Sequence, residues 1–173
     1  MARRVKIKLM GQTKINGGFG VIEVLVAATI ISTAIFSLFN VFVLASRLSE
    51  ESADKIRANF LAEEGLEALR YLRDESWQSN LSSLSAGTDY YLSFNSGASK
   101  WSIGASNPGA IDSVFTRTIT PANVSRDSSD NIVSVGGTND PNTKLFSVRV
   151  SWLEHGAPQN LVLSTYLADI YNK

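Results

Sequence analysis

The chain is expected to fold as α+β, with a long N-terminal α-helix packed on a C-terminal antiparallel β-sheet. The helix is expected to be apolar and membrane-spanning in its first half and amphipathic in its second. Three features carry this expectation: an uncharged apolar run over 24–45, helical periodicity that continues to about Glu75, and strict apolar–polar alternation over 145–153. The 173 residues suit one domain with an appendage, and at 44% hydrophobic and 18% charged they can bury a core.

Charge is balanced in total, 16 basic against 16 acidic residues, but not in place. Arg3, Arg4, Lys6, Lys8 and Lys14 fall in the first 18 residues with no acid among them, so the rest of the chain is acidic. That balance argues against a nucleic-acid binder by bulk charge. With no cysteine, a disulfide scaffold, a thiolate metal site and a cysteine nucleophile are excluded. A single histidine, His155, speaks against a Ser-His-Asp triad or a multi-histidine metal site.

From Val24 to Ala45 the polar residues are only Thr29, Ser32, Thr33, Ser37 and Asn40. A helix over 24–45 spans ~33 Å, enough for a hydrocarbon core of ~30 Å. The β-branched residues Ile30, Ile31, Ile35, Val41 and Val43 do not oppose helix there, because in lipid every backbone group must be paired internally. The basic end is expected to stay in the cytoplasm by the positive-inside rule, with the bulk of the chain across the membrane. A buried Asn40 has two options, pairing across helices or locally loosening its own helix.

Glu23 stands at the start of the apolar run, after Gly17, Gly18, Phe19, Gly20, Val21 and Ile22. An acid deep in a membrane helix costs roughly 2.5–3.5 kcal/mol, and less near an end. One role for it is a first-turn acid facing the positive end of the helix dipole. Another follows from Gly17-Gly18, an accessible stretch that a peptidase can enter in extended form. Cutting after Gly18 would free the amine of Phe19 four residues before Glu23, and both charges would then need partners near an apolar phase.

The run Gly18-Phe19-Gly20-Val21-Ile22-Glu23-Val24-Leu25-Val26-Ala27 resembles the leader junction and N-terminal helix of type IV prepilins and pseudopilins. The resemblance covers about ten residues and departs from the family's frequent pattern at Gly17, Gly20 and Val21. The apolar half also lacks the proline of many major pilins. It implies a basic leader over 1–18, cleavage between Gly18 and Phe19 by a prepilin peptidase, N-methylation of Phe19, and an assembly role for Glu23. The implied partners are other pilin subunits, the prepilin peptidase, an inner-membrane assembly platform and membrane lipid; nucleic acid is not a clear partner, and no cofactor or metal is implied. The precursor would sit in the inner membrane as a single-pass protein, with its head outside the cytoplasm, before joining an extracellular or periplasmic filament. Filaments of this kind serve adhesion, twitching, DNA uptake and type II secretion.

The expected organisation is a leader over 1–18, a transmembrane and filament-core helix over 19–45, an amphipathic helix over 46–75 and a globular head over 76–173. In the amphipathic part Ala58, Leu61, Ala62, Gly65, Ala68, Leu69 and Leu72 share one side, with Glu63, Glu67, Arg70 and Asp74 around the other. Glu67–Arg70 and Arg70–Asp74 are spaced for ion pairs on one helix face. Gly65 in mid-helix suggests a close helix-to-sheet approach. Ile56 and Phe60 point away from the stripe, either as scattered surface apolars or as contacts to neighbouring subunits.

Residues 76–113 are rich in Ser, Gly and Asn and form a long connection with short strands expected at 89–94 and 100–103. Tyr90, Tyr91, Phe94 and Trp101 have the look of a ligand platform, although such aromatics more commonly form a small core under a loop. Strands are expected at 114–120, 145–153 and 161–168, the last two joined by a six-residue loop over 154–159. Phe146, Val148, Val150 and Trp152 should form the apolar face that the helix stripe covers. The strand ending in Ser151-Trp152 and its hairpin are most like minor pilins and minor pseudopilins.

Residues 126–143 are expected to be loop. Their Asp and Asn residues could offer oxygens to calcium, but the spacing is not that of an EF-hand and these are ordinary turn formers. Arg117, Arg126, Lys144 and Arg149 are the residues from which a local basic patch could form. No phosphate loop, dinucleotide fingerprint or recognisable catalytic carboxylate pair occurs, and the chain is not expected to be an enzyme. The expected function is a structural subunit, a minor pilin or pseudopilin, of a type IV pilus-like filament. The alternative is a secreted or single-pass membrane-anchored binding protein or adhesin that does not polymerise.

Overall fold

In the computed structural model, residues 18 and 20–171 are described. The basic segment at Arg3–Lys14, Gly17 and Phe19 lie outside the described residues. The element order is α1 (Val21–Asn80), β1 (Tyr91–Asn95), β2 (Lys100–Gly104), β3 (Thr116–Arg126), β4 (Ile132–Val133), β5 (Thr138–Glu154) and β6 (Ala157–Ala168). This is the expected α+β fold, a long N-terminal helix packed on antiparallel sheet. Backbone proximity divides the chain into two units, Met1–Arg47 and Leu48–Lys173.

The α1 backbone is helical except at Ser76, which is extended at φ −169° and ψ 108°. The continuous helix therefore ends at Glu75, where periodicity placed it. One more turn follows: Ser76 Oγ accepts from the Ser79 N–H at 3.2 Å, and Asn80 Nδ2 donates to the Leu72 carbonyl at 2.9 Å.

The main sheet has the order β4-β3-β5-β6, all antiparallel, and β1 and β2 form a separate two-stranded hairpin. Phe146, Val148 and Val150 are fully buried and Trp152 nearly so, facing the stripe Ala58, Leu61, Ala62, Ala68, Leu69 and Leu72. Gly65 permits the closest approach. A Cβ there would stand 2.8 Å from Val148 Cγ1 and 3.1 Å from Arg117 Cδ, so any side chain would push helix and sheet apart.

β1, β2 and the start of β3 lie within two residues of the expectation, and three larger differences remain. β3 runs on through Pro121 to Arg126, whereas the periodic run was expected to end at Thr120. The Pro121 carbonyl accepts from the Gly87 N–H at 2.8 Å, so this residue's polar edge faces away from β5 and the missing N–H costs no β3–β5 bond. The second difference is that residues 126–143 are not all loop. β4 lies there and β5 already begins at Thr138. Register with β3 shifts between Asn123 and Val124, which face Lys144 and Asp140, leaving 141–143 unpaired on that side as a bulge. Finally, the β5–β6 loop is two residues, not six, because Glu154 pairs with Ala157. His155 (φ 50°) and Gly156 (φ 83°) both take the left-handed conformation that a tight hairpin turn requires. Pro158 sits in β6, an edge strand, where a missing N–H is tolerated.

Candidate functional site

The candidate site lies at the start of α1. Gly20 ends the non-helical lead-in; its carbonyl accepts from the N–H groups of Glu23 (3.0 Å) and Val24 (3.3 Å). Glu23 reaches back, its Oε2 accepting from the Gly20 N–H at 2.9 Å. This is half of a capping box, with glycine at the N-cap, and it satisfies one of the donors that a helix start leaves free. Glu23 thus takes the first-turn position that sequence reasoning offered as its local role. Gly18 is exposed, and among the described residues a Cβ built on it would meet nothing within 4 Å. Phe19 itself lies outside the described residues.

Beyond Glu23 the helix shows apolar side chains on every side. Ile30 is 62% exposed, and Phe36, Leu38 and Phe42 are each more than two-thirds exposed. Such a surface is unfavourable in water and matched to lipid or to other apolar helices. Among the described residues, one helix is long and apolar enough to cross a membrane, and none of its most apolar window is buried.

The polar residues of this stretch are disposed of within the helix. Thr29 Oγ1 donates to the Val26 carbonyl (2.7 Å), Ser32 Oγ to Ala28 (2.7 Å), Thr33 Oγ1 to Ile30 (2.9 Å) and Ser37 Oγ to Thr33 (2.8 Å). Asn40 Nδ2 donates to the Phe36 carbonyl at 2.9 Å, and the backbone at Asn40 stays helical. Of the two options for Asn40, local loosening is not the one seen. Back-bonding hides hydroxyl and amide protons from a low-dielectric phase, where a bare donor costs several kcal/mol.

In the head, the four residues of the potential basic patch do not form one. Arg117 and Lys144 are buried at 7% exposure each. Arg117 Nη1 donates to the Leu61 carbonyl (2.9 Å) and to Glu64 (2.8 Å). Lys144 Nζ donates to the carbonyls of Leu81 (3.2 Å), Ser82 (2.6 Å) and Leu84 (2.6 Å), closing the chain as it leaves α1. Burial pushes the pKa of the Lys144 ammonium below its ordinary value, while the three carbonyls accept from its charged form and favour it. Arg126 is spent on Asp140, and Arg149 alone of the four is exposed. The signal for this was strand parity: Lys144 shares its face with Phe146, and Arg117 with Ile119, so both belong to the core side.

The Asp-rich segment is likewise committed to its own backbone. Asp127 Oδ1 accepts from the N–H groups of Ser129 (2.8 Å) and Asn131 (2.9 Å), and the bonds from Asn131 chiefly hold its carboxyl below the ordinary range. Asp140 is lowered first by its bond from Arg126 Nε at 2.7 Å. Among the described residues, no three Asp, Glu, His or Cys side chains are grouped to hold a metal ion.

Smaller expectations divide. Glu67 and Arg70 form their ion pair, but Asp74 pairs with Arg73 at 2.8 Å instead of Arg70. His155 is exposed, with Nδ1 3.9 Å from Glu51. Ile56 and Phe60 are exposed, at 59% and 58%. Tyr90 and Trp101 pack on the core, whereas Phe94 stays 53% exposed. Compared with family models, curated proteins and solved structures, the chain matches none.

Proposed function

We propose that this protein is a structural subunit, of the minor pilin or pseudopilin kind, of a type IV pilus-like filament. The precursor is held in the inner membrane by the first half of α1, cut between Gly18 and Phe19 by a prepilin peptidase, methylated at Phe19, and passed by an inner-membrane assembly platform to a filament of other pilin subunits. The observation that carries this reading is the pairing of an all-round apolar helix with a carboxylate, Glu23, in its first turn.

The proposed mechanism is a transfer of the helix from lipid to a bundle of similar helices. Apolar flanks gain little from leaving lipid, since tails and side chains are equally apolar; packing contacts supply the attraction. Cleavage creates a cationic amine on Phe19. In a bundle, Glu23 of one subunit meets that amine on a neighbour. At low dielectric each charge alone is penalised, so the pair sets axial register more than it adds net stability. The bond from the Gly20 N–H occupies Oε2 and leaves Oε1 for the neighbour.

That same bond favours a second reading, a single-pass anchored binding protein that does not polymerise, because Glu23 already has a partner in its own chain. Mass spectrometry of the mature N-terminus separates the readings. Methylated Phe19 supports the subunit; Met1 supports the anchor; Ser46 supports a secreted form cut after the apolar run. Recovery of the uncut chain alone would overturn the proposal.

A further inference from the structure

The main sheet has two unlike edges. At β3 the edge is covered. Tyr90 and Ile119 exchange backbone bonds of 2.8 Å, the Gly87 N–H reaches the Pro121 carbonyl at 2.8 Å, and β4 pairs with Ser125 and Arg126. At β6 no further strand follows among the described residues. The Asp169 N–H continues the β5–β6 register and donates to the Asn142 carbonyl at 2.8 Å, so the odd-numbered residues of β6 bond to β5. Asn160, Val162, Ser164 and Tyr166 therefore turn their N–H and C=O groups to the open edge. Among the described residues, the bond made to these groups is a long one, from Thr165 Oγ1 to the Tyr166 carbonyl at 3.5 Å.

Sheet edges are ordinarily blunted by charge, proline, a bulge or shortness. β6 is 12 residues long, carries no charged residue and pairs with β5 without a register shift. Its proline, Pro158, stands beside the hairpin turn and leaves the edge from Asn160 onward intact. The apolar layer is unfinished there too: Leu161 and Leu163, with Leu66 of α1, pack on the core but are only partly buried.

A row of alternating donors and acceptors at strand spacing is matched by an extended peptide backbone, not by a helix or a small molecule. Charge narrows the occupant further. Arg149 lies on the outer face of β5 between Thr118 and Val162, is exposed, and faces no acid on either neighbouring strand. A second copy's β6 would bring no acid to answer it. We infer that β6 receives an extended segment of a partner protein, paired antiparallel as every strand in this sheet is, with apolar side chains over Leu161 and Leu163 and an acidic one on the outer face near Val162. The added strand lies about 10 Å from β5, two strand spacings, which an arginine and a glutamate side chain bridge between them. This inference does not rest on filament assembly.

The test uses the full-length chain in micelles and reads amide hydrogen exchange by NMR. The probe is a soluble nine-residue peptide in which valine alternates with threonine and the central threonine is replaced by glutamate. Its controls are the same peptide with lysine for that glutamate, and the glutamate peptide N-methylated at the amides of one edge. The glutamate peptide should slow exchange at Val162, Ser164 and Tyr166 about tenfold, leaving Leu161 and Leu163 as protected as before. The N-methylated peptide should slow it less, and Arg149→Glu, a change at an exposed site, should reverse the preference to the lysine peptide. No slowing by the glutamate peptide, equal slowing by the N-methylated one, or an unchanged preference in Arg149→Glu would overturn the inference. So would protection of the same amides that rises with protein concentration alone, which would make a second copy the occupant.

Discussion

The two halves of α1 are one continuous helix and two different solutions to the same problem. Up to Arg47, the helix exposes Ile, Leu, Val and Phe all round, and its hydroxyls bond back to carbonyls one turn earlier. From Leu48 on, it buries one stripe of small and apolar residues, and its charged groups reach other elements, as Arg57 to Asp112 and Glu64 to Arg117. The helical period is the same. What differs is where polarity goes: inward to the helix's own backbone when the surroundings are apolar, outward to partners when they are aqueous. The first half is thus apolar on every side and long enough to span a membrane.

The sharpest way to break this comparison is Glu23→Ala. If the first half exists to associate with its like, the variant should insert and be cleaved but enter filaments roughly tenfold or more less well, since one charge of a desolvated pair is left alone. Filament yield against membrane-fraction yield checks it. Incorporation at the wild-type level would leave Glu23 as a helix cap and nothing more.

A matched pair of substitutions comes next. Phe146→Ala empties the centre of the sheet–helix core and should cost about 3–5 kcal/mol of head stability. Phe36→Ala makes the same chemical change on a residue 68% exposed in the apolar half, and the head should melt within about 0.5 kcal/mol of the parent. Thermal or denaturant unfolding in micelles reads both.

The apolar run, the stripe from Ala58 to Leu72 and the alternation from Phe146 to Trp152 were legible because each is a periodicity, and periodicity is local. Glu23's place in the first turn was legible for the same reason, but its bond from the Gly20 N–H was not. What sequence alone did not yield is non-local. The β3–β5 bulge depends on register between distant segments, so Thr138–Asp140 looked like turn residues although they are paired with Val124–Arg126. Pro121 looked like a strand end because only the sheet shows which way its missing N–H would have pointed. Arg117 and Lys144 looked like surface charge because their partners are mostly backbone carbonyls, which no composition displays. The orphan Nε of Arg117 emerges only once Trp101 and Glu64 are brought around it.

Lys144 and Gly65 sharpen the comparison on the head's side. Lys144→Met should cost about 1–3 kcal/mol, because the carbonyls of Leu81, Ser82 and Leu84 lose their shared donor while the hydrocarbon stem is kept. Gly65→Ala should cost about 1 kcal/mol: the gain in helix propensity is smaller than the strain of a methyl pressed on Val148. An alanine there that stabilises the head would mean that helix and sheet can separate freely, and that the stripe is looser than its burial implies.

The smallest expected effect lies in acid. Arg126 Nε donates to Asp140 at 2.7 Å and holds its carboxyl below the ordinary range, so the folded head binds this proton more weakly than the unfolded chain does. The resulting stability is fully present above the unfolded value, about pH 4, and is lost as pH falls through the folded value. Asp127 moves in the same direction, through the backbone N–H of Asn131. The head's melting temperature should therefore begin to fall below about pH 4. Asp140→Asn should lower it by no more than about 2 °C near neutrality, because the pair is partly solvated. Wild type and variant should converge in acid, where Asp140 is itself neutral. The residues 24–45 carry no titratable side chain at all, so helicity of that half in micelles should stay flat across the same range. A circular-dichroism titration that showed both halves losing structure together would mean that they respond to pH as one cooperative unit, against the division drawn at Arg47.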